Sequence, residues 1–306
     1  METGHRIETL GILGAGRLGM TLAQLAVSAG LRVLIARSGD PAPISRRVRA
    51  IGATPATSAE VIDQTDAVVL ALPLGRYRSL PADALDGSLV IDAMNYWWAS
   101  DGVRDDLSDP RTSTSELVQS HLPGARVVKA LSHMGYQDLE DEPRPAGDPD
   151  RKAIAIAGDE PRDVAVVAAL VDDLGFDPVF AGPLAAGIAM EPGAEAFGAD
   201  VDAASLRGML EGFADSQRGI VVARARGEAA AAATPRIERV PVESSALRSV
   251  GYRADLAVLE IEFVSGDVYR YHAVPASVHD ALMDAESHGR FFLDRIRDVY
   301  PTTRVS

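Results

Sequence analysis

From residue 8 the chain alternates short, continuously apolar runs with stretches whose apolar residues recur every three to four positions, the order in which βαβ units build a parallel sheet. The runs are Thr9 to Leu13, Arg32 to Ala36, Ala67 to Leu72, Leu89 to Asp92, Arg126 to Ala130 and Ala153 to Ala157. Segments apolar at successive positions predict strands buried on both faces. Between the first two, Leu18, Leu22, Leu25, Ala26 and Ala29 share one helical stripe that Gly30 stops, so a helix is expected over Leu18 to Ala29. A second helix is expected from Glu160 to Leu174, ending at Gly175. A strand over Pro178 to Ala181 follows, and Gly182 to Arg226 reads as more helical than extended.

After residue 226 the pattern changes. Gly227 to Arg239 has the low complexity of a linker, although its alanine run can equally extend the preceding helix. Beyond it, Leu256 to Val264 alternates as a strand, Ser265-Gly266-Asp267 reads as a turn, and Val268 to Ala273 as the antiparallel partner. Helices are expected over Pro275 to Ala285 and Arg290 to Val299. The expected architecture is α/β, a Rossmann-type doubly wound parallel sheet over residues 1–226, then a linker over 227–239. A small α+β domain, a hairpin plus two helices, occupies 240–306.

Composition narrows the partners. The hydrophobic content of 47% supports a buried core, and the formal charge of −14 argues against a basic face for nucleic acid or an anionic membrane. From Arg236 onward nine arginines stand against eleven carboxylates, so the last domain does not offer such a face either. A small molecule is the expected partner. There is no cysteine, hence no disulfide and no thiolate metal site, and the sequence holds no metal-ligand spacing. The first residues lack the basic flank and apolar stretch of a signal peptide, and no apolar run spans a bilayer, so a cytoplasmic protein is expected.

Gly14-Ala15-Gly16-Arg17-Leu18-Gly19 fits GxGxxG between an expected strand and an expected helix. There Gly14 permits the tight turn, Gly16 lets backbone approach a pyrophosphate, Gly19 lets helix pack on strand, and the helix N-terminus favours an anion. A glycine-rich turn without a ligand is the alternative. The second strand ends in Arg37-Ser38 where NAD-binding folds place a carboxylate for the ribose hydroxyls. An arginine there forms charge-assisted bonds to a 2′-phosphate and Ser38 adds a hydroxyl, which favours NADP; stacking on adenine or facing solvent is the competing role for Arg37. Arg46, Arg47 and Arg49 lie nearby in sequence.

In open parallel sheets ligands lie beyond the carboxyl ends of the strands. That rule selects Leu72-Pro73, Asn95-Tyr96 and Ser132-His133. Pro73 can hold its loop against a nicotinamide ring or simply end the strand. His133 can orient a carboxamide or donate to a substrate carbonyl, with a structural histidine as the alternative. Asn95 and Ser132 complete the catalytic candidates. Tyr96, Trp97 and Trp98 hold both tryptophans of the chain and suit either a flat ring or a core.

Five segments carry a resemblance: Gly11 to Gly19, Asp66 to Pro73, Ile91-Asp92-Ala93-Met94-Asn95, Leu122 to Ala130 and Ala181-Gly182-Pro183-Leu184. In order and spacing over residues 7 to 200 they resemble the NADPH-dependent deazaflavin (coenzyme F420) reductases. The resemblance implies hydride exchange between NADP and a deazaflavin, the two rings stacked above the sheet edge. Typical members have Asn-Pro where this chain has Asn95-Tyr96, and Ala-Phe-Asn where it has Ala130-Leu131-Ser132-His133; both departures fall at the substrate edge. Ser244-Ser245, Tyr252, Phe263, Gly266, Tyr269, Tyr271, Val274-Pro275, Gly289 and Phe292 resemble the KTSC domain over residues 242 to 301. Three readings stay open: deazaflavin exchange, NADPH-dependent reduction of a flavin or other acceptor, and NADP binding without turnover in a scaffold or sensor. For the last domain, docking of a protein partner or assembly of a homodimer is the expectation.

Overall fold

The computed structural model of the chain describes residues 6–233, 237–254, 256–272, 274–297, 299–300 and 302–305. Two compact units divide after Ile220. In the first, the elements run β1 (Thr9–Leu13), α1 (Arg17–Ser28), β2 (Arg32–Ala36), α2 (Ala42–Ala50), β3 (Thr54–Pro55), α3 (Ser58–Asp63), β4 (Ala67–Leu70) and β5 (Leu89–Asp92). They continue as α4 (Trp98–Asp101), α5 (Thr114–His121), β6 (Arg126–Lys129), α6 (Tyr136–Asp141), β7 (Ala153–Gly158), α7 (Pro161–Asp173), β8 (Asp177–Gly182) and α8 (Ala203–Glu211). The helix α9 (Gln217–Ala233) crosses the division, so the alanine run continues the preceding helix as far as Ala233. Residues 234–236 of the expected linker lie outside the described residues.

One eight-stranded sheet has the order β3-β2-β1-β4-β5-β6-β7-β8. Alternate strand residues serve its two faces. Leu10, Ile12, Val33, Ile35, Val69 and Ile91 join Leu22 and Ala26 of α1 and Val167 and Val171 of α7. Leu13, Leu34, Val68, Leu70 and Val90 join Val61 of α3 and Val118 of α5. Both faces are covered, which is why the runs carry no polar alternation. The strands β3 to β6 are parallel, but β7 runs antiparallel to β6, with Val128 opposite Gly158 and Lys129 opposite Ala157. The sheet is thus parallel-dominated, as expected of a doubly wound fold, with β7 and β8 reversed against the rest. The connection from β6 holds only the short α6 and loops, so the chain enters β7 from the edge at which it left β6.

The second unit holds β9 (Val240–Pro241), β10 (Leu247–Arg253), β11 (Val258–Phe263), β12 (Val268–Tyr271), α10 (Ala276–Met283), α11 (His288–Arg295) and β13 (Thr302–Arg304). The sheet is antiparallel, in the order β13-β12-β11-β10-β9. The expected hairpin is β11 and β12; its proposed end at Ala273 lies outside the described residues. Leu247, Val250, Leu259, Ile261 and Tyr271 form a core with Leu282, Phe292 and Ile296 of the two helices. On this sheet Glu260 is buried and accepts from Arg270 Nε at 2.7 Å, with Arg239 as a second partner. Among the described residues no helix is long and apolar enough to cross a membrane.

Candidate functional site

Between β1 and α1 the chain has only Gly14 to Gly16 in which to turn. Gly14 takes φ 125°, closed to side chains, and its N–H donates to the Ala36 carbonyl at 2.9 Å. A Cβ there would stand 2.2 Å from the Ala71 carbonyl oxygen, and one on Gly19 would stand 1.8 Å from the Gly14 oxygen. Both positions are held to glycine by contact between β1, α1 and the loop after β4. Gly16 differs, because a Cβ on it would meet nothing within 4 Å. No side chain caps α1, so its first N–H groups and the positive end of its dipole face that open space. Arg17 turns away, donating to Tyr136 Oη at 2.8 Å with its guanidinium over that ring, and Leu18 packs on the core. These two residues contribute backbone to the loop.

The open space belongs to a cavity of about 610 Å³ at the carboxyl ends of β1, β2 and β4. Gly14, Ala15 and Gly16 form one side, Arg37 and Ser38 follow β2, and Leu72 and Pro73 follow β4. Seven residues singled out in sequence thus converge. The remaining lining includes Ile44, Ser58, Arg76 and Ser79, and holds no Asp or Glu, in a chain with 44 acidic against 30 basic residues. Outside the lining, Arg47 of α2 donates to the Ala15 carbonyl at 2.8 Å and braces the glycine loop. An uncapped helix, room over Gly16 and arginines without carboxylates fit a dinucleotide carrying an additional phosphate.

Asn95, Ser132 and His133 are brought together, but inside the protein. Asn95 Nδ2 donates to the Ser132 carbonyl at 2.7 Å, tying the loop after β5 to the loop after β6. Leu131 lies between, at φ 59°, a left-handed conformation that costs about 1–2 kcal/mol for a residue with a side chain. His133 is 1% exposed and does not reach the cavity. Its Nε2 accepts the Ala155 N–H at 3.0 Å, because β6 stops at Lys129 and leaves that part of β7 paired only with β8, on its other side. The ring is therefore neutral, protonated on Nδ1. Burial pushes its pKa down to about 4, the nearby Lys129 charge adds to this, and the Ala196 carbonyl opposes it. The geometry gives His133 a fold-holding bond and keeps its ring out of the cavity.

A polar group that the sequence reading passed over lies beneath these loops. Lys129 and Asp92, both fully buried, stand 3.9 Å apart at the ends of β6 and β5. Lys129 Nζ donates to the Met94 carbonyl at 3.1 Å, while Asp92 accepts from Ser115 Oγ at 2.6 Å and from Met94 N at 3.0 Å. The pair pins the chain that leads into Asn95. A buried lysine at the end of a strand is the signal that could have found it, since it requires an acceptor set.

In the aromatic cluster Tyr96 packs against the core, and the two tryptophans do not. Trp97 is 51% and Trp98 70% exposed, Trp97 lies 5.5 Å from the Phe197 ring centroid, and Tyr96 Oη donates to the Gly102 carbonyl. Asp101 accepts from Trp97 N and, through its other oxygen, from Gly75 N, both at 2.9 Å. Gly75 lies between the lining residues Pro73 and Arg76, so the tryptophan turn is tied to the cavity wall.

Residues 9–96 match the family described as NADP oxidoreductase, coenzyme F420-dependent, and residues 243–300 match the KTSC domain. A hypothetical protein from Sinorhizobium meliloti is 28% identical with a TM-score of 0.56, over 63% of this chain and 94% of its own. A protein from Arthrobacter sp. FB24, described as a candidate F420-dependent NADP reductase, is 25% identical with a TM-score of 0.52, over 60% of this chain and 87% of its own. Among curated relatives, an uncharacterised protein from Stutzerimonas stutzeri is 52% identical over 56 residues, 18% of this chain and 79% of its own.

Proposed function

We propose that this chain, an NADP-dependent oxidoreductase whose residues 9–96 belong to the coenzyme F420-dependent NADP oxidoreductases and whose residues 243–300 are a KTSC domain, exchanges hydride between NADP and a deazaflavin. The observation that carries it is the carboxylate-free cavity that joins the open Gly16 loop, Arg37-Ser38 and Leu72-Pro73. Bound nicotinamide supplies the chemistry, transfer of two electrons and one proton as hydride to or from the acceptor ring. The protein's own part is placement. Backbone N–H groups of α1 would hold the pyrophosphate, Arg37 and Ser38 would hold the 2′-phosphate, and Leu72 and Pro73 would supply apolar wall for the cofactor.

Exposed Trp97 and Trp98 offer a face for a flat acceptor, and Asp101 fixes their turn against the cavity wall. No acid or base is required of the protein if the two rings meet in alignment, since proximity and orientation supply most of the effect in such a transfer. A flavin acceptor is the second reading, favoured by the departures from the typical Asn-Pro and Ala-Phe-Asn segments at Asn95-Tyr96 and Ala130-Leu131-Ser132-His133. NADPH oxidation followed anaerobically against deazaflavin, flavin and quinone decides between them. Deazaflavin is expected to be turned over fastest; turnover with flavin alone overturns the deazaflavin reading.

A further inference from the structure

We infer that Arg76 is a second determinant of specificity for the 2′-phosphate, acting with Arg37 from the other side of the glycine loop, an assignment that rests on reading the cavity as the NADP site.

Arg37 follows β2 and Arg76 follows β4, and β1, which carries the glycine loop, lies between those two strands. Both residues thus line the cavity from the strands on either side of the loop. Arg76 sits on a 3₁₀ turn, Leu74–Ser79, in which residues three apart lie on one side. Leu74 and Tyr77 are buried and plug the turn into the core. Gly75 and Arg78 take the second side: Gly75 N–H donates to Asp101, while Arg78 stacks over Tyr77 at 5.2 Å and pairs with Asp106 at 3.5 Å. Arg76 and Ser79 take the third, and both line the cavity.

The contrast between Arg76 and Arg78 is what points to a ligand. Two positions apart in one turn, Arg78 reaches Asp106, which also pairs with Arg104, whereas the Arg76 guanidinium has no carboxylate or hydrogen-bond partner among the described residues. Arg37 on the facing side has none either, and the lining supplies no Asp or Glu to separate the two cations. Like charges turned into one cavity repel unless an anion lies between them. The hydroxyl of Ser38 beside Arg37 supplies a neutral donor, while Ser79 Oγ donates to the Arg76 carbonyl at 2.7 Å and braces the turn. A dianionic monoester phosphate suits two arginines and a hydroxyl, and in NADP that group is the 2′-phosphate of the adenosine half.

The test uses the full chain and two probes, adenosine 2′,5′-bisphosphate and adenosine 5′-monophosphate, titrated by calorimetry. Wild type should prefer the bisphosphate. Arg76→Ala should weaken the bisphosphate by about 10-fold or more, the loss expected for a charge-assisted contact, and leave the monophosphate within about two-fold. Arg37→Ala should do the same, and the double variant should bind both probes alike. Melting checks the fold, which exposed Arg76 does not support, and Arg76→Met, keeping the apolar stem, should repeat the alanine result. Equal losses for both probes, or no loss, in a protein whose wild type does discriminate overturn the assignment of Arg76 and leave the NADP reading standing. A wild type that does not discriminate overturns both.

Discussion

Replacing Gly16 by alanine should separate ligand binding from folding. Gly16 has φ −76° and ψ −166°, extended backbone that any residue adopts, and the added methyl meets nothing within 4 Å. Losing a glycine restricts the unfolded chain and stabilises by about 0.4–1 kcal/mol, while alanine caps a helix less well by a similar amount. The two offset, so the melting temperature should move by less than about 4 °C in a unit of this size. The methyl nevertheless fills the space in front of the uncapped N–H groups of α1. A phosphate held off two such groups loses about 3 kcal/mol, or roughly 100-fold in affinity. Gly14→Ala is the counterpart: at φ 125°, with the methyl 2.2 Å from the Ala71 oxygen, it should cost about 3 kcal/mol or more and lower the melting temperature by roughly 6–12 °C. Melting curves and NADPH fluorescence titrations on both variants measure the contrast. A Gly16→Ala protein that binds NADPH as wild type does would refute the assignment of that space to the pyrophosphate.

Arg37→Glu should weaken NADPH far more than NADH, because a carboxylate then faces the 2′-phosphate; equal losses in parallel titrations would show that Arg37 does not read it. Trp98→Ala, at a site 70% exposed, should leave melting unchanged and raise KM for the acceptor without altering NADPH affinity; an unchanged KM would remove the tryptophans from the acceptor site. His133 has its folded pKa held at about 4, below the unfolded value near 6.5, so the unfolded chain protonates first. Its contribution is intact above pH 6.5 and is lost as pH falls toward 4, by up to about 3 kcal/mol. Melting followed from pH 7 to 5 should therefore drop less steeply in His133→Gln than in wild type, and parallel curves would place the titration elsewhere.

The first half of the fold was legible because its rules are local. A buried parallel strand must be apolar at successive positions, and a strand that turns at once into a helix needs glycine, so β1, α1, β2 and the loop between them stand out. Strand direction is a different matter. β7 is as apolar as its neighbours, with both faces covered, and nothing in Ala153 to Gly158 records that it runs against β6. In the second unit β10 escaped for another reason. Its register shifts between Leu247 and Ser249, so the inward residues Leu247 and Val250 fall three apart and the period of two that marks a half-buried strand is broken. The edge strands β9 and β13 are two and three residues long, too short to carry a period.

Legibility at the site divides along the same line. Residues whose position is set by the turn in which they sit, such as Gly14, Gly16, Arg37 and Pro73, converge on one cavity. His133 was correctly placed beyond β6, but the direction of its ring depends on a vacancy in the ladder of β7, opposite Ala155, that exists only because β6 stops at Lys129. Trp97 and Trp98 gave two readings because an apolar ring suits a core as well as a ligand, and only the packed structure shows them outside it. Arg76 is the sharpest case. In the sequence it and Arg78 are two arginines of one basic turn. Three residues per turn send one toward Asp106 and the other toward the cavity, and that choice is made by Leu74 and Tyr77, whose burial sets the rotation of the turn. A charge pattern thus acquires chemical meaning through the apolar residues that orient it, and specificity written this way is invisible to any motif built from charged residues alone.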